Sequence, residues 1–158
     1  MSQYSVLWTI NGIMILVAQP LIRPVIILLK GDLKKQIFVG ILIFMSSFLV
    51  TSFAHQFSMF VIGMVILTFG EMFVWPAVPT IANQLAPKGK VGKYQGIVNS
   101  ASTVGKALGP LFGGLLVDLF NMRMMFLTMI ILLGVAIIIL SLFAKSKAAK
   151  KYLNHQTN

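Results

Sequence analysis

Cysteine is absent from this 158-residue chain, and only three acidic side chains occur: Asp32, Glu71 and Asp118. Without cysteine there is no disulfide and no thiolate metal site. Charge of either sign is scarce. Charged residues make up 10% of the sequence, against about 25% in a soluble domain. An ordinary water-soluble fold is therefore excluded. Catalytic signatures are missing as well: there is no HExxH, GxSxG or P-loop, and His55 and His155 lie too far apart in sequence to suggest a metal pair. The sequence thus predicts neither an enzyme nor a bound cofactor or metal. With so few acids, the formal net charge is +10. In a soluble protein that excess would suggest nucleic acid, but here the lysines sit in short clusters between apolar runs, which argues against a nucleic-acid partner.

What is abundant is apolar surface, 58% of all residues. A membrane span needs roughly 17 to 25 apolar residues. Five stretches qualify, at about 5–29, 36–54, 58–84, 94–117 and 123–144. They are too long for barrel strands, and open strands would leave backbone groups unpaired in hydrocarbon. The expected fold is all-α: a polytopic transmembrane bundle with the lipid bilayer as its solvent. Residues 145–158 form a basic polar tail. Residues 1–7 hold no Lys or Arg, so the start does not read as a charged signal-peptide leader.

The loops alternate in charge. Lys30, Lys34 and Lys35 lie between spans one and two, Lys88, Lys90 and Lys93 between three and four, and Lys145, Lys147, Lys150 and Lys151 after five. The opposite side has only Arg123 in its loops. By the positive-inside rule the N-terminus is outside and the C-terminus cytoplasmic.

Arg23, Glu71 and Lys106 fall within spans. Each costs several kcal/mol there unless paired, hydrated or neutralised, so each is a site candidate. Glu71 fits proton carriage or binding of a cationic substrate; the plainer reading is a structural hydrogen bond or an ion pair with Lys106. Thr68, Glu71 and Trp75, spaced three and four apart, share one helix face, and a hydroxyl, a carboxylate and an aromatic plate suit a lipophilic cation. Trp75 otherwise simply packs. Met64 and Met72 flank Glu71 and suit a permissive pocket. Pro76 and Pro79 each remove a backbone donor and predict a bend, for gating or as fixed shape. Arg23, between Pro20 and Pro24, either serves the pathway or snorkels to the interface. Asn99, Thr103, Lys106 and Pro110 form a polar face that must meet protein or water. Asn11, Gln19, Asn83 and Gln84 read as interhelical hydrogen-bonding groups.

The fourth span reads GIVNSASTVGKALGPLFGG over 96–114. Interior glycine costs about 1 kcal/mol in a helix in water. In lipid, helices associate through close backbone contact, and small residues favour it. Ala101, Gly105, Gly109 and Gly113 fall four apart in one smooth stripe. The pattern Gly96, Gly105, Gly109-Pro110, Gly113-Gly114 resembles the antiporter motif of drug/proton antiporters of the major facilitator superfamily, with every fixed position matched.

That motif belongs to the family's fifth helix, and a related GP..GG pattern is found in its pseudo-symmetry mate, helix eleven. The loop LLKGDLKKQ (28–36) lacks the arginine-bearing signature expected after helix two, and span three has Glu71 where a first half would carry an arginine. INGIMILVAQPL (10–21) and FGEMFVWPAVPTIANQLAP (69–87) look like helices eight and ten of bacterial multidrug efflux proteins. The resemblance is therefore to the second half of such a transporter, helices eight to twelve. It implies a partial chain, a missing N-terminal half as partner, a plasma-membrane location, and proton-coupled efflux of small lipophilic compounds. The alternative is a non-transporting membrane subunit, or an inactive remnant, that associates with a separate partner.

Overall fold

The computed structural model describes residues 9–17, 20, 24 and 32–145. Arg23, Gln19, Lys30 and the tail beyond Lys145 lie outside the described residues, as does most of the first predicted span. Every regular element among the described residues is an α-helix. Residues 9–17 form α1, followed by α2 (Leu33–Ser52), α3 (Phe57–Leu85), α4 (Val91–Leu119) and α5 (Met122–Lys145).

Local chemistry sets the ends. Asp32 caps α2: its Oδ1 accepts from the backbone N–H groups of Lys34 and Lys35 at 3.1 and 3.3 Å, satisfying donors that a helix start leaves open. Between α3 and α4 the chain turns through Pro87-Lys88-Gly89-Lys90. The Lys90 N–H donates to the Pro87 carbonyl at 2.9 Å, and Gly89 takes φ +80°, a left-handed value that glycine adopts without steric cost. Asn121 opens α5, its Oδ1 accepting from the Met124 N–H at 2.9 Å.

Leu33–Ser52, Phe57–Leu85 and Met122–Leu142 are long and apolar enough to cross a membrane. The 20 residues of α2 rise about 30 Å, the thickness of a hydrocarbon core. At 29 residues α4 is long enough, but glycine, Asn99 and Lys106 keep it out of that apolar set. α2 packs most extensively on α3 and next on α5, while α4 touches α3 and α5 more lightly.

The α2–α3 seam is made of small and polar groups. A Cβ on Gly40 would stand 2.5 Å from Val74 Cγ2, and one on Gly70 would stand 2.8 Å from the Phe44 ring. The Ser47 hydroxyl donates to the Gly63 carbonyl at 2.7 Å. Gln36, Ser47, Ser52 and Thr68 are all buried, and among the described residues no buried side-chain N or O lacks a hydrogen bond. Large apolar side chains such as Ile131, Ile138, Ile139 and Leu142 on α5 point outward. Polar and small groups inside with aliphatic groups outside is the distribution expected in lipid, where close packing and hydrogen bonds hold helices together.

The small-residue stripe of α4 is different. Among the described residues nothing stands within 4 Å of a Cβ placed on Gly96, Gly105, Gly109 or Gly114, and Gly113 meets only Met125 Sδ, at 3.6 Å. α4 buries none of its residues. Among the described residues the intimate glycine contacts are those of Gly40, Gly63 and Gly70, on helices where sequence spacing showed no such stripe.

Candidate functional site

Pro76 and Pro79 lie inside α3, which continues through both. Proline has no N–H and its ring crowds the preceding turn, so the helix ladder loses its bonds to the Met72 and Trp75 carbonyls; three neighbouring carbonyls accept from side chains. Gln36 Nε2 donates to the Phe73 carbonyl at 2.8 Å, the Thr80 hydroxyl to the Pro76 carbonyl at 2.7 Å, and Gln95 Nε2 to the Pro79 carbonyl at 2.8 Å. Side chains of α2, α3 and α4 thereby hold the segment that carries the site.

One turn before Pro76, Glu71 faces α1. The Asn11 amide bridges two of the predicted residues: its Nδ2 donates to the Thr68 hydroxyl at 2.9 Å and to Glu71 Oε2 at 3.3 Å. Thr68 is 0% exposed, and its own hydroxyl proton goes to the Met64 carbonyl at 2.8 Å. Thr68 therefore orients Asn11, and Asn11 in turn fixes the carboxylate.

Beside this triad lies a cavity of about 500 Å³, lined by Asn11, Ile15, Glu71, Met72, Trp75, Pro76 and Lys106. That volume lies within the range of small-molecule sites. Of the two structural alternatives for Glu71, the hydrogen bond is present, from Asn11, and the ion pair with Lys106 is not: the Lys106 Nζ sits 4.9 Å from the centroid of the Trp75 ring, a cation–π contact. Trp75 remains 56% exposed, so its face is open to a ligand as well.

The predicted residues thus divide. Glu71, Trp75 and Lys106 meet at the cavity, and Thr68 supports it from behind. Asn99 does not line it; the Asn99 carbonyl accepts from the Thr103 hydroxyl at 2.9 Å within α4. Met72 lines the cavity and Met64 does not. Arg23 lies outside the described residues. Asn11 was expected only to hydrogen-bond between helices. It does so, and it is also a wall of the site, which its position in a barely patterned apolar run does not reveal. Among the described residues no cluster of His, Asp or Glu is grouped to hold a metal ion.

Glu71 and the Lys106 ammonium, the latter over the Trp75 ring, thus line one cavity beside a helix long and apolar enough to cross a membrane. The sequence profile of the Major Facilitator Superfamily matches residues 1–157. This chain belongs to the major facilitator superfamily. It is 52% identical over all its 158 residues to an uncharacterized MFS-type transporter, YttB, of Bacillus subtilis (strain 168), and covers 40% of that protein. An uncharacterized MFS-type transporter of Methanocaldococcus jannaschii is 43% identical over 54 residues, covering 34% of this chain and 14% of that one. An MFS-type transporter, ucsD, of an Acremonium species is 34% identical over 92 residues, covering 58% of this chain and 16% of that one. No solved structure matches. As a superfamily member the chain spans well under half the length of its Bacillus relative.

Proposed function

We propose that this chain supplies part of the substrate pathway of a secondary transporter that exports small lipophilic cations in exchange for protons across the plasma membrane. The observation that carries the reading is the Glu71 carboxylate at the wall of the 500 Å³ cavity, beside Trp75 and Lys106. A carboxyl in that position exchanges a proton for a cation. When charged it attracts the substrate, and when protonated it releases it. Trp75 already holds one cation, the Lys106 ammonium, so a lipophilic cation competes for a face suited to it. Lys106 then moves toward Glu71 or into the pathway. Moving one charge through 100 mV is worth about 2.3 kcal/mol, enough to bias such a step.

In the full transporter, substrate binds between two helix bundles near mid-membrane, and the bundles rock around it. An N-terminal half would complete the cavity, with the N-terminus of this chain outside and its lysine-rich end cytoplasmic. Dye efflux from cells expressing the chain with and without a co-expressed first half tests this. Efflux that requires both parts supports the reading. Unchanged dye-dependent proton flux in Glu71→Gln removes the coupling role from Glu71.

A second reading, a non-transporting subunit that assembles with a separate membrane partner, is favoured by α4, which buries no residue. Stable co-purification with a partner but no efflux under any pairing selects it.

A further inference from the structure

We propose that the Glu71 cavity selects lipophilic zwitterions, cations that also carry a carboxylate, and that Lys106 makes the selection. The inference rests on the cation reading of this site and narrows the class of cation.

Two opposite charges line one cavity without pairing to each other. Each is held by a neutral group instead. Glu71 Oε2 accepts from the Asn11 amide at 3.3 Å, and that amide also donates to the Thr68 hydroxyl at 2.9 Å. The Lys106 ammonium lies 4.9 Å from the Trp75 ring centroid. These partners orient the two groups and leave both charges in place. A ring face attracts an ammonium without neutralising it, and the ammonium has three N–H donors. A carboxylate has about four acceptor sites, of which Asn11 takes one. The other two acids of the chain are placed elsewhere. Asp118 is twelve residues further along α4, about 18 Å by helical rise, and Asp32 caps α2 and contacts Lys35.

This arrangement ranks its ligands. A lipophilic monocation gains Glu71 but is repelled by Lys106, or must displace it from Trp75. A lipophilic anion meets the reverse, and a neutral solute uses neither charge. A zwitterion with its cationic end toward Glu71 and its carboxylate toward Lys106 is attracted by both, and Lys106 keeps its place on the ring. Ile15, Met72, Trp75 and Pro76 supply apolar wall for the body of such a molecule, as small-molecule sites do around a few placed polar groups.

The test is equilibrium dialysis of the purified full chain in detergent against carboxybutyl-triphenylphosphonium, a zwitterion at neutral pH, and against its methyl ester, a cation of nearly the same shape. The wild type binds the zwitterion more tightly by about fivefold, as one partly exposed ion pair provides. Lys106→Met abolishes the preference and Lys106→Arg keeps it. Glu71→Gln weakens binding of both ligands. Lys93→Met, a lysine of the same helix that does not line the cavity, changes neither. Circular dichroism establishes that each variant is folded. Equal binding of the two ligands by the wild type, or a preference that survives Lys106→Met, overturns this inference alone, provided that Glu71→Gln still weakens binding. Binding indifferent to Glu71→Gln, or no binding of either ligand, overturns the cation reading and the zwitterion with it.

Discussion

Gly40 and Gly70 face each other across α2 and α3 at backbone distance: a Cβ on Gly40 would stand 3.2 Å from the Gly70 carbonyl oxygen, and one on Gly70 would stand 3.1 Å from the Gly40 carbonyl oxygen. Neither oxygen belongs to a side chain that can rotate away. The two glycines set how closely the helices approach, and that approach brings Gln36 of α2 within reach of the proline-bearing part of α3.

Alanine at Gly40 or Gly70 is therefore expected to push the helices apart and destabilise the chain by about 1–3 kcal/mol, the usual cost of overpacking. Gly134→Ala on α5, where nothing stands within 4 Å, is expected to have no such cost. Thermal unfolding of the three variants in detergent provides the comparison. Equal behaviour at Gly40 and Gly134 would show that the seam yields more easily than its geometry suggests.

Gln36→Leu removes the buried side-chain donor to the Phe73 carbonyl, three residues before Pro76. That carbonyl keeps the Ala77 N–H of its own helix as a possible donor, so the loss is that of one net hydrogen bond, about 0.5–1.5 kcal/mol. The expected result is a loss of stability of that size together with faster amide exchange around Trp75–Thr80. Exchange unchanged in this segment would mean that another group takes over the carbonyl.

Asn11→Ala frees Glu71 and Thr68 from their shared partner. Thr68 keeps its bond to the Met64 carbonyl, so the fold is expected to persist while the carboxylate loses its orientation. In the assembled transporter this appears as weaker binding of a lipophilic cation, with a larger effect than Asn99→Ala, because Asn99 does not line the cavity. Equilibrium binding of a fluorescent cation separates the two variants, and equal losses would argue against Asn11 as part of the site.

Trp75→Leu keeps apolar bulk but removes the ring that carries Lys106. A partly exposed cation–π contact is worth about 0.5–1 kcal/mol, rising to about 2 when desolvated. Cation affinity is expected to fall by roughly twofold to thirtyfold, with Trp75→Phe retaining part of it. If Leu and Phe behave alike, the ring acts only through its bulk.

Helical class was legible in the sequence, because lipid forces apolar runs of a fixed length and punctuates them with lysine. The matched glycine and proline positions of 96–114 were enough for the family. The cavity was only partly legible. Spacing of three and four placed Thr68, Glu71 and Trp75 on one face, but it could not say that Thr68 is sealed behind Asn11 while Trp75 stays open. Nor could it choose between Glu71 and Trp75 as the partner of Lys106. Both lie near mid-span, and depth along an axis does not fix rotation about it.

The glycines separate the two kinds of knowledge most sharply. A regular repeat in α4 announced itself in one dimension, yet it finds almost nothing to touch within these helices. Gly40, Gly63 and Gly70 have no periodic signature, yet they form the closest seam. Sequence determined the medium, because transfer of side chains from water to hydrocarbon depends on composition, residue by residue. Tertiary structure alone decided which small residues meet and which cation rests on which ring. Those are properties of pairs, and pairs across helices have no fixed spacing along the chain.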